Sequence, residues 1–316
     1  MSDVRQMPLF PTLPTSEADL NPHTRLRDTV MLFQKFLLRS GKSQHTVNAF
    51  TSDLQLLAEH GGEDKAIGTF TTSGLNEFLD WLENGRGVPC SRKSYARRVT
   101  TLKVYFKWLR AAEAIAHDPA KAVLQRSGPA PLALILSPEE VERASSFAAS
   151  LKRGDKPDTR PELLFRLILE TGIKKAETMR LKPADIDRSD PRQPILTVKN
   201  KNARDVYKER LIPLSPEWVD LLDTYLAQYK PTDTVFTCTA RNLEYVLEDV
   251  GRGSGIVPKI SFEMLRWTCA VRDYRANVDP DAIREKLGLS KISWHETFNK
   301  IKKLTQEQVI REGART

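Results

Sequence analysis

Apolar residues recur at helical spacing through the first third of the chain. Leu26, Val30, Phe33 and Leu37 form one stripe, which Ser40-Gly41-Lys42 brings to an end. Ser43 caps a second stripe carrying Val47, Phe50, Leu54 and Leu57, and a third runs through Leu75, Phe78, Leu79 and Leu82 to a stop near Gly85. The fourth starts at Ser91 and aligns Tyr95, Val99, Leu102, Phe106 and Leu109. Four such faces can close on a single core.

Beyond this helical region the pattern changes twice. Residues 125–136 contain Gly128-Pro129-Ala130-Pro131 and no periodicity, as expected of a linker. Ser137-Pro138-Glu139-Glu140 then supplies a serine cap, a proline at the first helical position and a glutamate placed for a capping box, so a second domain begins there. An apolar helix over Pro161 to Glu170 breaks at Thr171-Gly172. Ile195 to Lys201 and Arg210 to Leu214 read as the two strands of a hairpin. Helix starts return at Ser215, Thr239, Ser261 and Asp279-Pro280, and an amphipathic segment from Ile292 to Leu304 closes the series. The fold class is therefore mainly α with a small antiparallel β-sheet. The expected divisions are a flexible lead-in over 1–22, a helical domain over 23–124, the linker over 125–136, an α+β domain over 137–303 and a tail over 304–316.

Composition narrows the function. At 316 residues, 40% hydrophobic and 28% charged, the chain can support two globular cores. A net charge of +8 favours an acidic partner, nucleic acid before a membrane surface. No apolar run is long enough to span a bilayer, and the first 20 residues lack the pattern of a signal peptide, so a cytoplasmic protein is expected. Cys90, Cys238 and Cys269 are far apart, and His23, His45, His60, His117 and His295 form no ligand-spaced cluster. Neither a disulfide framework, a metal site nor a cofactor is indicated.

The fourth stripe has a second property. Arg92, Lys93, Arg97, Lys103, Lys107 and Arg110 share one side of that helix, a face that could track phosphates or simply be solvated. Near the C-terminus, Glu263 and Arg266 lie three residues apart on one helix face, close enough to pair.

These stretches together resemble the tyrosine recombinases, the phage integrases and Xer-like proteins. Gly41-Lys42-Ser43-x-x-Thr46-Val47-x-x-Phe50 and Asp118-Pro119-Ala120 resemble parts of the family's core-binding domain. Thr171-Gly172-Ile173-Lys174-Lys175-Ala176-Glu177 is similar to its T-G-L-R-x-x-E motif, with Lys174 where the first catalytic arginine is expected. Ser261 to Thr268, Leu287 to Ser290 and Thr297-Phe298 follow the order H-x-L-R-H-T, L-G-H-S and T-x-x-Y. Arg266 and Thr268 match, whereas Glu263 stands at a histidine position, Leu289 at a histidine or tryptophan position and Phe298 at that of the tyrosine nucleophile. Lys199 and Lys201 both qualify for the family's hairpin lysine.

The resemblance implies a two-domain clamp on duplex DNA, touched by Lys42, the basic face of the fourth helix, Lys174, Lys199, Lys201 and Arg266. It also implies self-association through the C-terminal segment, where Ile301, Leu304 and Val309 supply apolar positions. The reaction in this family is attack of a tyrosine oxygen on a phosphodiester, with arginines on the nonbridging oxygens, a lysine protonating the leaving hydroxyl and a histidine handling the nucleophile's proton. Phenylalanine has no oxygen to attack with, and no tyrosine follows Tyr274. The leading expectation is an inactive relative that clamps duplex DNA as a regulator, an architectural factor or an accessory to an active recombinase. An active enzyme with a displaced nucleophile and a protein-interaction scaffold are the alternatives.

Overall fold

The computed structural model describes residues 13–124, 132–153, 156–200 and 209–313. Most of the expected 1–22 lead-in, the first part of the linker, Lys201 and most of the hairpin turn lie outside the described residues. The chain divides into two compact units, Met1–Ala130 and Pro131–Thr316.

The N-terminal unit is built from four helices, α1 (Leu26–Arg39), α2 (Gln44–Gly61), α3 (Thr72–Asp80) and α4 (Arg92–Ala111). Ser43, Thr71 and Ser91 cap α2, α3 and α4 by accepting from backbone N–H groups three residues on, which satisfies donors a helix start leaves open. The four stripes meet in one core, with Phe33, Phe78, Tyr105 and Phe106 fully buried. Inside it the Tyr105 and Thr29 hydroxyls lie 2.7 Å apart.

The C-terminal unit is organised around α6 (Arg160–Thr171), on which α5 (Pro138–Ser150), α8 (Pro216–Tyr229), α9 (Ala240–Gly253) and α10 (Phe262–Arg275) all pack. Leu163, Leu164, Phe165, Leu167 and Ile168 have no exposure, so α6 is buried nearly all round. The short α7 (Lys175–Thr178) follows it. β1 (Ile186–Asp187), β2 (Ile195–Val198) and β3 (Arg210–Pro213) form one antiparallel sheet in that order, with Ile186 opposite Leu196 and Leu196 opposite Ile212. The hairpin strands were readable from alternation; the two-residue β1 is too short to show a period.

Two helices complete this unit, α11 (Pro280–Lys286) and α12 (Lys291–Gly313). Asp279 caps α11 as its sequence predicts. The expected division between domain and tail at 303/304 falls inside α12, which runs through it without a break. The structure also corrects the reading of Ile301 and Leu304 as positions offered to another subunit. Both are buried against Ala270, Val271, Ile283 and Leu287 of the same chain. Gln308 donates to the Leu136 carbonyl and Arg275 pairs with Glu312, fastening the helix further along.

Candidate functional site

Two surfaces bring the sequence-predicted residues together, one in each unit. On α4, Arg92, Lys93, Lys107 and Arg110 are exposed and Lys103 is half-buried, beside the buried stripe of Tyr95, Val99, Leu102 and Leu109. Lys93, Lys103, Lys107 and Arg110 have no hydrogen-bond or ion-pair partner among the described residues. Arg97 differs from its neighbours: its guanidinium holds the carboxylate of Asp53 on α2 with two hydrogen bonds, of 3.1 and 2.7 Å. Lys42 is exposed in the turn between α1 and α2.

In the C-terminal unit, a cleft of 710 Å³ is lined by Lys174, Glu263, Arg266, Trp267, Leu289 and Thr297, among others. Lys174 arrives there because Gly172, with φ of +59°, turns the chain sharply at the end of α6. A Cβ at that position would come within 2.9 Å of Leu287 and 3.3 Å of the Cys269 sulfur. Ser261 caps α10 by accepting from the Met264 N–H, which sets Arg266 one turn in.

The cations of this cleft are engaged with protein. Arg266 donates to the carbonyls of Gly172 and Leu287. Lys174 donates to the next carbonyl, that of Gly288, at 3.4 Å. From the sheet, Arg210 donates its Nε–H to the Lys286 carbonyl at 2.7 Å. Three basic side chains from three elements thus hold the carbonyls of Lys286, Leu287 and Gly288, the end of α11 that its own hydrogen bonds leave open. Gly288, at φ of +59°, lets Arg210 approach, since a Cβ there would lie 2.8 Å from the guanidinium.

Arg210 also makes a buried two-pronged ion pair with Glu177, at 3.1 and 2.9 Å. Burial pushes the Glu177 carboxyl up, but the Arg210 hydrogen bonds and charge outweigh it and hold the group below its ordinary value of 4.5. Burial lowers Arg266 to about 10, with Glu177 opposing and Arg210 adding to the shift. Around the rim, Lys175 and Arg241 pair with Glu244, and Lys259 with Glu248.

Glu263 is exposed at the mouth and does not pair with Arg266 as its spacing suggested. The reason is that Arg266 bends down to the two carbonyls, away from the helix surface. Leu289 presents a hydrocarbon side chain, half-buried against the cluster beneath α12. Phe298 does not line the cleft. Its ring stacks on Trp294 at 5.2 Å and meets Tyr274 edge-on at 5.6 Å, with the Lys302 ammonium 4.9 Å from its centre. Thr297 lines the cleft, and its hydroxyl donates to the Ser293 carbonyl at 2.9 Å. Tyr274 lines a different groove, with Val278, Thr305 and Val309.

Lys199 stands just past β2, its ammonium 2.6 Å from the buried Asp185 carboxylate. The sequence reading missed Arg210, Glu177's partner, and Asp53. A signal existed for the second: Asp53 falls three residues after Phe50 and four before Leu57, on an otherwise apolar stripe.

Comparison with known proteins bears on the family and the fold. The sequence profile of the Phage integrase family matches residues 135–303, and that of the Phage integrase N-terminal SAM-like domain matches residues 30–113. The chain is 23% identical over 303 residues to a tyrosine recombinase XerD of Listeria innocua, covering 91% of this chain and 98% of that protein. It is 25% identical over 277 residues to a tyrosine recombinase XerC of Chromobacterium violaceum, covering 84% and 87%. Among solved structures, the XerH site-specific recombinase bound to a palindromic difH substrate has a similar fold, with a TM-score of 0.68 and 20% identity over 85% of this chain and 78% of that one. A lambda integrase dimer bound to a COC' core site gives a TM-score of 0.67 and 17% identity over 86% and 77%. With one profile covering more than half of its length and a second covering the helices before it, this chain belongs to the phage integrase family of tyrosine recombinases.

Proposed function

We propose that the protein binds duplex DNA without cutting it, as an architectural or regulatory factor or as accessory to an active recombinase. The observation that carries the reading is Phe298, a ring without an oxygen, packed on Trp294 and Tyr274 where the family's pattern has its nucleophile. The surroundings support it. Thr297 has its hydroxyl proton on a carbonyl and no hydrogen bond to a side-chain base among the described residues, so it is a poor nucleophile at neutral pH. Lys174 offers a single point charge where an arginine would give a planar fork. A phosphate brought within about 4 Å of Glu263 would be repelled by about 4 kcal/mol at a surface-like dielectric.

The basic face of α4 and the DNA-bound state of the XerH and lambda integrase structures support duplex DNA as the partner. Such a partner places the protein with the nucleoid in the cytoplasm. Self-association on DNA through α12 rests on Val309 and Ile310, 52% and 69% exposed, because Ile301 and Leu304 are spent within the chain.

The test is duplex affinity against salt, with a denaturing-gel assay for a covalent protein–DNA adduct on nicked duplex. The expected result is a log-log slope of about 5, from about 0.9 per phosphate and some six phosphates neutralised, with no adduct. A denaturant-resistant adduct would establish an active enzyme with a displaced nucleophile instead. Absence of binding even at low salt would leave the scaffold reading.

A further inference from the structure

The N-terminal unit buries one carboxylate on the face that joins α2 to α4. Asp53 is 2% exposed. Its two oxygens accept from the Arg97 Nε–H and NH2 group at 3.1 and 2.7 Å and from the Thr101 hydroxyl at 2.8 Å, and the Arg98 Nε lies 3.6 Å away. The two consecutive arginines have different fates. Arg98 points inward, its side chain 11% exposed, and donates to the Cys90 sulfur. Arg97 is 41% exposed and belongs to the basic face with Arg92, Lys93, Lys103, Lys107 and Arg110.

Stability alone does not call for a charge at position 53. An apolar residue in that stripe would avoid the desolvation of a carboxylate, and buried ion pairs are often no better than packed hydrocarbon. What the ion pair does supply is orientation. It grips one edge of a guanidinium that has five N–H groups, and leaves the outer edge facing solvent in a fixed direction. A long side chain held this way has already lost much of the freedom that a surface lysine must lose on meeting a phosphate.

We infer that Asp53 is a positioning residue for DNA binding, which holds the Arg97 fork ready for one phosphate at the α2 edge of the α4 basic face. This inference rests on the DNA-binding reading above. Lys93, Lys103 and Lys107 then act as mobile charges around one pre-oriented contact.

A mutant cycle on the full-length chain tests it, with affinity for a mixed-sequence duplex as the readout and thermal unfolding to confirm folding. Arg97→Ala and Arg97→Lys are each expected to weaken binding by about tenfold, because lysine restores the charge but cannot be gripped as a fork. Asp53→Asn should weaken binding by a similar factor in the native background and by nothing further in the Arg97→Ala background. Should Asp53→Asn fail to fold, the comparison of Arg97→Lys with Arg97→Ala decides on its own. The inference is overturned if Arg97→Lys binds like the native protein, if Asp53→Asn costs the same in both backgrounds, or if Asp53→Asn binds as tightly as the native chain or more so. Loss of all DNA binding by the native protein would overturn the underlying reading as well, and is separable because it appears before any variant is made.

Discussion

Arg266 has two jobs open to it, and its hydrogen bonds show which one the folded chain uses. Its guanidinium ties the end of α6, at Gly172, to the end of α11, at Leu287. Removing it orphans two carbonyls at helix ends, each worth about 1–3 kcal/mol if left unsatisfied. Arg266→Met should therefore lower the unfolding free energy by about 2–4 kcal/mol, read from urea midpoints at constant slope. A variant that melts like the native protein would remove the case for this clasp. The neighbouring Glu177 makes a pH-dependent contribution. Because its carboxyl is held below 4.5 in the fold, its stabilisation is complete above that ordinary value and is lost as pH falls through the lowered one. Stability should drop more steeply on acidification in the native chain than in Glu177→Gln, which has no proton to take up there. None of this was readable from the motif, which shows that Lys174, Glu177 and Arg266 belong together but not that backbone carbonyls are what they hold.

At the scale of elements, α12 is where sequence and structure diverge most. Periodicity identifies Ile301 and Leu304 as an apolar face, but a face does not carry the address of what covers it. The covering surface is made by α10 and α11, through Ala270, Val271, Ile283 and Leu287. Leu304→Ala should accordingly cost about 2–5 kcal/mol of stability in the chain by itself, as for other buried leucines. Ile310→Ala, at an exposed position, should change it by less than about 0.5 kcal/mol. If Leu304→Ala altered assembly but not the melting of the isolated chain, the helix would have to dock in trans. The caps, by contrast, were legible almost residue by residue. Ser43, Ser91, Ser137, Thr239, Ser261 and Asp279 each accept from a backbone N–H at a helix start, since that requirement is local and needs no knowledge of the rest of the fold.

Over the whole molecule, a net charge of +8 is distributed in two different ways. Along α4 the lysines lack acidic partners among the described residues, while round the cleft Glu244, Glu248 and Glu177 answer most of the basic groups. Composition gives the sum, and the helical wheel places the α4 charges, but two of the pairs around the cleft, Lys175 with Glu244 and Arg210 with Glu177, join residues more than thirty positions apart and emerge only on folding. The same long-range closure bears on descent. The carbonyls of Gly172 and Leu287 give the chain a reason to keep Arg266 that has nothing to do with phosphodiesters. A lineage that ceased to cut DNA would still lose folded protein by losing that arginine. Selection for folding alone is then enough to preserve that one arginine, so its presence marks the fold and does not by itself mark the reaction.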